Sequence, residues 1–306
     1  MLTGDASAFV AFARALPADL GPACARGAFL VTPEGFALAA QSAEDNRYMD
    51  LSRRVDPQRA LAQHRALQRA LSETLPTVAF AGRADTPDAV FPNNVFATAR
   101  VGGAGRAILG HMRHAVRRRE AERADIVGFF RDVLGYALHD LRAQPGICEL
   151  TGSLVIDRAR GIGFCGLSER CDETGAAAMH AAFGLRATLM FALAPGEYHA
   201  NVVMSALAGR ALAIAPDGFA DPAVPAALAR LYPHTVTLSR EEKTGFAGNC
   251  IALSETRVWM SEAAADALVP ATRRAFEVAG FALATVPLDE IEKAGGSLRC
   301  CVGEIF

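Results

Sequence analysis

The chain lacks a CxxC pair and has seven cysteines, an odd number, so a disulfide scaffold is excluded and a reducing compartment, the cytoplasm, is expected. It lacks an apolar run approaching the roughly 20 residues that a bilayer-spanning helix needs, and no membrane partner is expected. Asp5 falls early and no long apolar core follows a basic start, so the beginning does not read as a secretion signal. Neither charge is in excess. A formal net charge of −2 gives no electrostatic ground for binding nucleic acid or anionic lipid. A glycine-rich phosphate turn is missing too, because GGAG at 102–105 falls between two strands of a hairpin. What is abundant is apolar surface: 51% of 306 residues are hydrophobic, enough for a large core.

A polar residue returns at intervals of roughly fifty residues, a spacing typical of a repeated supersecondary unit. Asn94 precedes VFATARVGGAGRAILG, Glu149 precedes LTGSLVIDRARGIGFCG, and His199 precedes ANVVMSALAGRALAIAP. Asn249 then precedes CIALSETRVWM, and Cys300 lies in SLRCCVGEIF. Each segment reads as two strands about a turn, at Gly102-Gly103, Arg160-Gly161 and Gly209 in the first three. A helix and a further strand follow, giving a ββαβ module used about five times with pseudo-fivefold symmetry. Helices are predicted over 112–141, 168–183 and 261–279, and at DPAVPAALARLY with Asp221 as cap. The strand GAFLVTP is placed in the last module. No linker interrupts the run, so residues 27–306 are expected to form one α/β catalytic domain, with 1–26 as a helical extension. If the modules close around an axis, Glu149, His199 and Cys300 converge there.

That trio has the composition of a nucleophilic site. Cys300 follows Gly295-Gly296, which lets a ligand approach closely, whereas Cys301 faces away by strand alternation. An oxidative bridge between these vicinal cysteines is disfavoured by strain. His199 has the chemistry to protonate a leaving amine and then deprotonate water. Glu149, at the edge of an apolar hairpin, needs a partner or water. Asn93, Asn94, Asn201 and Asn249 are ordinary turn residues singly and together line a small polar pocket. Arg299 joins the substrate-binding set, although strand alternation turns it from the thiol. Residues 41–52 read as a lid carrying Asn46 and Arg47 toward a substrate carboxylate. His111 and His114 lack a third ligand at suitable spacing, so a solvated face is expected and no metal.

At these residues the chain resembles the guanidino-group-modifying superfamily, the pentein or amidinotransferase fold. It looks closest to the arginine-deiminase-related branch that includes citrulline-utilisation hydrolases. The resemblance runs from about residue 27 to 306 through QSAEDNRYM, PDAVFPNNVF, ELTGSLVIDR, EYHANVV, FAGN and GGSLRC, in order. It implies a five-bladed α/β propeller with Cys300 as nucleophile, His199 as acid/base and Glu149 as supporting carboxylate. It also implies a covalent thiouronium-type intermediate, a small arginine-derived substrate and no cofactor.

The departures bear on the substrate. Deiminases of this superfamily carry Glu-Gly-Gly-Asp, His-x-Asp and an early acidic position. Here the corresponding stretches are Glu149-Leu150-Thr151-Gly152-Ser153, His199-Ala200-Asn201 and Asn93-Asn94. A dry cationic guanidinium needs compensating negative charge, so a neutral, citrulline-like ureido group is favoured. The alternatives are a dimethylargininase, deiminase or amidinotransferase on the same scaffold, and a non-catalytic binding or sensing protein. A homo-oligomer is left open.

Overall fold

The structure, a computed structural model, describes residues 1–306. Its strands form five separate sheets, four of three strands and one of four. In four of them, an antiparallel pair closed by a tight connection is followed by a crossover to a third strand parallel to the second, as the two pairing geometries demand. Phe96–Val101 pairs with Ala104–Leu109 and then Ala137–Asp140. Leu154–Asp157 pairs with Ile162–Leu167 and then Ala187–Ala192. Met204–Leu207 pairs with Ala211–Ile214 and then His234–Thr237. Ile251–Ala252 pairs with Arg257–Ser261 and then Ala282–Val286. The fifth sheet joins the two ends of the chain. Gly303–Ile305 runs antiparallel to Gly27–Val31, with Gly303 opposite Phe29, and Thr77–Phe80 lies parallel on the other side. The glycine turns are where the sequence puts them: Gly102 and Gly103 have φ of +59° and +82°, the left-handed pair that a two-residue hairpin uses.

The crossovers differ from expectation in three places. The helix expected over 112–141 is four short pieces: Ala115–Arg118, Arg119–Glu122, Ala124–Gly128 and Phe129–Val133. Arg123 leaves helical geometry at φ −66°, ψ 94°, and its guanidinium reaches Ala81 O at 2.9 Å and pairs with Asp125. Long-range capture of that backbone overrides the local apolar period, and Val133 ends up 70% exposed. The helix expected from 168 starts at Glu173, because Ser168 and Cys171 exchange backbone hydrogen bonds in a tight turn and Asp172 then caps. The stretch 261–279 is two helices, Glu262–Ala267 and Pro270–Val278, since Leu268 and Val269 are extended ahead of Pro270.

Within residues 1–26, Asp5 caps the helix Ala6–Arg14, and Leu2–Thr3 adds a parallel strand beside Ala187–Ala192. Phe9 meets Phe164 edge-on at 5.7 Å inside the largest apolar cluster. No helix is long and apolar enough to cross a membrane.

The first strands of different sheets are tied to one another. Arg158 donates to Thr98 O, Thr98 Oγ1 to Glu304 O, and Ser205 Oγ to Cys250 O. The recurrent polar residues do not sit on these strands. Asn94 ends the 3-10 turn Pro92–Asn94, and Glu149 and His199 cap the helical turns Leu150–Ser153 and Ala200–Val203. Cys300 lies within the turn Leu298–Cys301.

Phe9→Ala is expected to lower unfolding free energy by about 3–5 kcal/mol, as for other buried aromatic truncations. Urea denaturation checks this; an unchanged midpoint would mean that the first helix is not part of the common core.

Candidate active site

Glu149 is fully buried, and a carboxylate there is tolerable only if its oxygens are bonded. Its Oε2 accepts from His199 Nε2 at 2.9 Å and from Arg170 Nη1 at 3.2 Å, and its Oε1 accepts from Arg113 N at 3.3 Å. Burial alone would raise the carboxyl pKa. The Arg170 charge and the His199 hydrogen bond outweigh it and hold the group well below the usual carboxylate range. An ionised carboxylate only accepts, so His199 Nε2 carries the proton and Nδ1 is free to take one. Burial lowers the His199 pKa against the pull of Glu149, which keeps the imidazole neutral at pH 7.

Arg170 is itself almost fully buried and fully committed. Its Nε donates to Asp45 Oδ1 at 2.8 Å and its Nη2 to Ser42 O at 2.9 Å. Its guanidinium lies 5.3 Å from the centre of the Tyr198 ring. The other oxygen of Asp45 meets His114 Nε2 at 3.1 Å and Arg113 Nε at 3.2 Å. The segment that carries Ser42 and Asp45 is therefore fastened to the carboxylate centre, in large part by charge.

Cys300 lines a cavity together with Asn46, Asp88, Asn94, Arg170 and Tyr198. Its sulfur accepts from Asn249 Nδ2 at 3.2 Å and lies 3.8 Å from Asn201 Nδ2, while its backbone N–H donates to Asn249 Oδ1. Burial raises the thiol pKa, and the Asn249 hydrogen bond offsets only part of that, so the resting group is a thiol. Buried side-chain atoms without a hydrogen-bond partner gather here. Five of the nine in the molecule belong to Asp88, Asn93, Asn94 and His199. Asp88 gives one oxygen to Ser42 and leaves Oδ1 free, and burial raises its pKa despite the nearby Arg117.

The expected residues separate into groups. His199 and Glu149 bond each other, and Asn201 and Asn249 hold the Cys300 sulfur. Asn94 and Asn46 line the cavity; Asn46 Nδ2 also reaches Ala294 O at 3.3 Å. Asn93 is buried beside the cavity wall, where its carbonyl accepts from Thr151. Arg299 is a correction. It pairs with Glu304 at 2.8 Å and lines a different cavity, because a helical turn sets neighbouring residues about 100° apart. Arg47 reaches Glu197 instead of the cavity. His114 is buried against Asp45, not solvated, and His111 faces the carbonyls of Gln144 and Gly146. No three His, Cys, Asp or Glu side chains group as a metal site.

Asp88, Arg170, Asp45 and Tyr198 escaped the sequence reading. Asp88 had a local signal, standing six positions before Asn94 in PDAVFPNNVF. Arg170 and Asp45 had none, since they meet across 125 residues.

Gly152 leaves the space that Asn94 and His199 share. A Cβ there would stand 2.5 Å from Asn94 Oδ1 and 2.8 Å from His199 Nδ1. Gly152→Ala is expected to reduce kcat about a hundredfold by displacing the imidazole, with folding retained. Steady-state kinetics beside circular dichroism check this; wild-type kcat would contradict it.

The family model described as N,N dimethylarginine dimethylhydrolase, eukaryotic, matches residues 32–306. No curated protein matches the chain by sequence. Among solved structures, the N-terminal domain of ArgZ, a cyanobacterial arginine dihydrolase, was solved as a Cys-to-Ser variant bound to substrate. It has a TM-score of 0.76 at 17% identity, over 91% of this chain and 97% of that one. Whole ArgZ without ligand gives 0.77 at 19% identity, over 91% of this chain and only 40% of that one. A dimethylarginine dimethylaminohydrolase carrying a chloropyridine adduct gives 0.69 at 22% identity, over 92% and 100%. These likenesses carry the fold, an α/β pentein, and the family match carries the chemistry. The chain belongs to the eukaryotic N,N dimethylarginine dimethylhydrolase family, guanidino-modifying hydrolases that cut carbon–nitrogen bonds other than peptide bonds.

Proposed function

We propose that the chain hydrolyses the guanidino group of a small arginine-derived substrate through a covalent adduct on Cys300. The observation that carries this is the set of spare acceptors, Asp88 Oδ1, Asn94 Oδ1 and His199 Nδ1, buried in and beside a cavity that Cys300 lines. A guanidinium presents several N–H donors and matches that set. Its positive charge beside the sulfur also favours the thiolate that burial disfavours.

Cys300 passes its proton to His199 Nδ1, and the sulfur bonds to the central carbon. The carbon–nitrogen bond to the leaving amine then breaks, with His199 returning the proton to that nitrogen. A thiouronium-type adduct remains. Water, deprotonated by His199, adds to its carbon; the carbon–sulfur bond breaks, releasing the ureido product, and His199 returns the proton to the sulfur to restore the thiol. Glu149 stabilises the transient imidazolium. A second reading, a citrulline-like ureido substrate, rests on the raised Asp88 pKa, because a protonated Asp88 accommodates a neutral head group.

In the same reading the five sheets are blades closed around one axis, for which the hydrogen bonds between first strands are the support. Residues 27–306 are the catalytic domain and 1–26 an extension. Seven unpaired thiols favour the cytoplasm.

A panel of methylated arginines, arginine and citrulline tests the substrate. Methylated or free arginine is expected to show the higher kcat/KM, with Asp88→Asn lowering it about tenfold to a hundredfold, the worth of a hydrogen bond to a charged group. Preference for citrulline with no effect of Asp88→Asn would favour the ureido reading, and turnover by Cys300→Ser would end both. Without substrate, iodoacetamide labelling of Cys300, read by peptide mass spectrometry, is expected to accelerate with pH and not level off below about pH 9, the usual thiol value or higher. A plateau below pH 7 would show a pre-ionised thiol.

A further inference from the structure

The cavity that Cys300 lines has room for a water or two, so neither a substrate nor an alkylating reagent reaches the thiol until part of the wall moves. Asn46 and Met49 belong to that wall, with Ala294 and Gly296. The segment that carries them is fastened at both ends, and unequally. At its near end Gln41 Oε1 accepts from Val116 N at 3.0 Å, Ser42 Oγ donates to Asp88, and the Asp45 carboxylate takes Arg170, His114 and Arg113. At its far end Met49 makes a single bridge to Ala294, and Asn46 Nδ2 lies 3.3 and 3.5 Å from Ala294 O and Gly295 O. The rest of the far end hangs on Glu197. Tyr48 Oη donates to Glu197 Oε2 at 2.8 Å, and Arg47, whose side chain is 44% exposed, lies 3.6 Å from Oε1. Glu197 stands two residues before His199 and is buried, as is Lys243 in the short helix Arg240–Thr244. Lys243 Nζ donates to Glu197 Oε1 at 2.6 Å and lies 2.9 Å from Asp217 Oδ2. A buried ammonium is rare and needs such partners. It fixes the Glu197 carboxylate with Oε2 turned to Tyr48, and a carboxylate only accepts, so the phenol donates.

We infer that residues 46–49 swing away from Cys300 about a hinge at residues 41–45, and that the Tyr48–Glu197 hydrogen bond, oriented by Lys243, is the latch that sets how often they do. Opening the near end would strip Arg170 and Asp45 of their buried partners, the costliest kind of ion pair to break. Opening the far end gives up one hydrogen bond to a charged group, two long contacts at Asn46, and a half-exposed ion pair of little worth. The Tyr48 ring also packs against Phe246 and Tyr198, with centroids 5.3 and 6.2 Å apart, so the hydroxyl can be removed without removing the packing. The latch governs access to Cys300 and not the reaction there, so it stands or falls separately from the identity of the substrate.

The test is site-resolved iodoacetamide labelling of the full chain at one fixed pH, read by peptide mass spectrometry, with the buried Cys165 and Cys250 as internal references. Tyr48→Phe is expected to accelerate labelling of Cys300 about tenfold to a hundredfold, the worth of a hydrogen bond to a charged group, while Cys165 and Cys250 keep their wild-type rates. Hydrogen exchange in the same variant is expected to quicken over residues 46–52 and to stay unchanged over 40–45. Glu197→Gln keeps the side-chain shape but replaces the charged acceptor with an amide; it is expected to accelerate Cys300 labelling at least about threefold and serves if Tyr48→Phe does not fold. Unchanged labelling of Cys300, an equal acceleration at Cys165 and Cys250, or exchange that quickens over 40–45 as much as over 46–52 would overturn the inference.

Discussion

One ionised carboxylate in a dry place organises the region around it. Glu149 has no water to solvate it, and an unpaired charge there would cost several kcal/mol. Two donors with different purposes resolve this, the His199 imidazole and the Arg170 guanidinium. Arg170 is equally dry and requires its own partners, which Asp45 and the Ser42 carbonyl supply. Electrostatics thus draws a segment from the first fifty residues onto a centre built from the middle of the chain.

The same burial sets the resting state of the reactive groups. His199 stays neutral with one nitrogen committed to Glu149, and Cys300 stays protonated although two asparagines approach its sulfur. Neither group is activated by itself. The unbonded oxygens of Asp88 and Asn94 are the complement of that quiet state, since they lack the donors that a substrate brings. In the proposed reaction, a pocket of this kind resists adventitious alkylation and acquires its nucleophile when a cation fills it. Buried unsatisfied acceptors cost stability in the free protein, and their concentration here is an expense that a binding site justifies.

Much of this was legible in the sequence because the fold repeats. The interval between Asn94, Glu149, His199, Asn249 and Cys300 marked the turn ahead of each first strand without reference to any contact, although Glu149 and His199 stand at the start of that turn and Asn94, Asn249 and Cys300 nearer the strand. The glycines at 102, 103 and 209 marked hairpins, because their positive φ is costly for other residues. The strand GAFLVTP is expected in the last module, and Gly27–Val31 within it pairs there with Gly303–Ile305. What stayed hidden depended on distance along the chain. The helix over 112–141 is broken by Arg123 reaching back to Ala81, which no local period reports. Arg299 joins the expected substrate-binding set although strand alternation already turns it from the thiol, and in the helical turn Leu298–Cys301 it pairs with Glu304. Asp88 is the carboxylate that the motif PDAVFPNNVF retains while Asn93 and Asn94 stand at its acidic position. The carboxylate it kept weakens the argument that the site is short of negative charge.

The central claim is that an ionised Glu149 fixes the His199 proton on Nε2 and leaves Nδ1 as the base. Nitrogen-15 chemical shifts of the His199 imidazole at neutral pH, in protein labelled at histidine, measure this directly. The account predicts a neutral ring with a protonated Nε2 and an unprotonated Nδ1. A proton on Nδ1, or a doubly protonated ring in the resting enzyme, would contradict it.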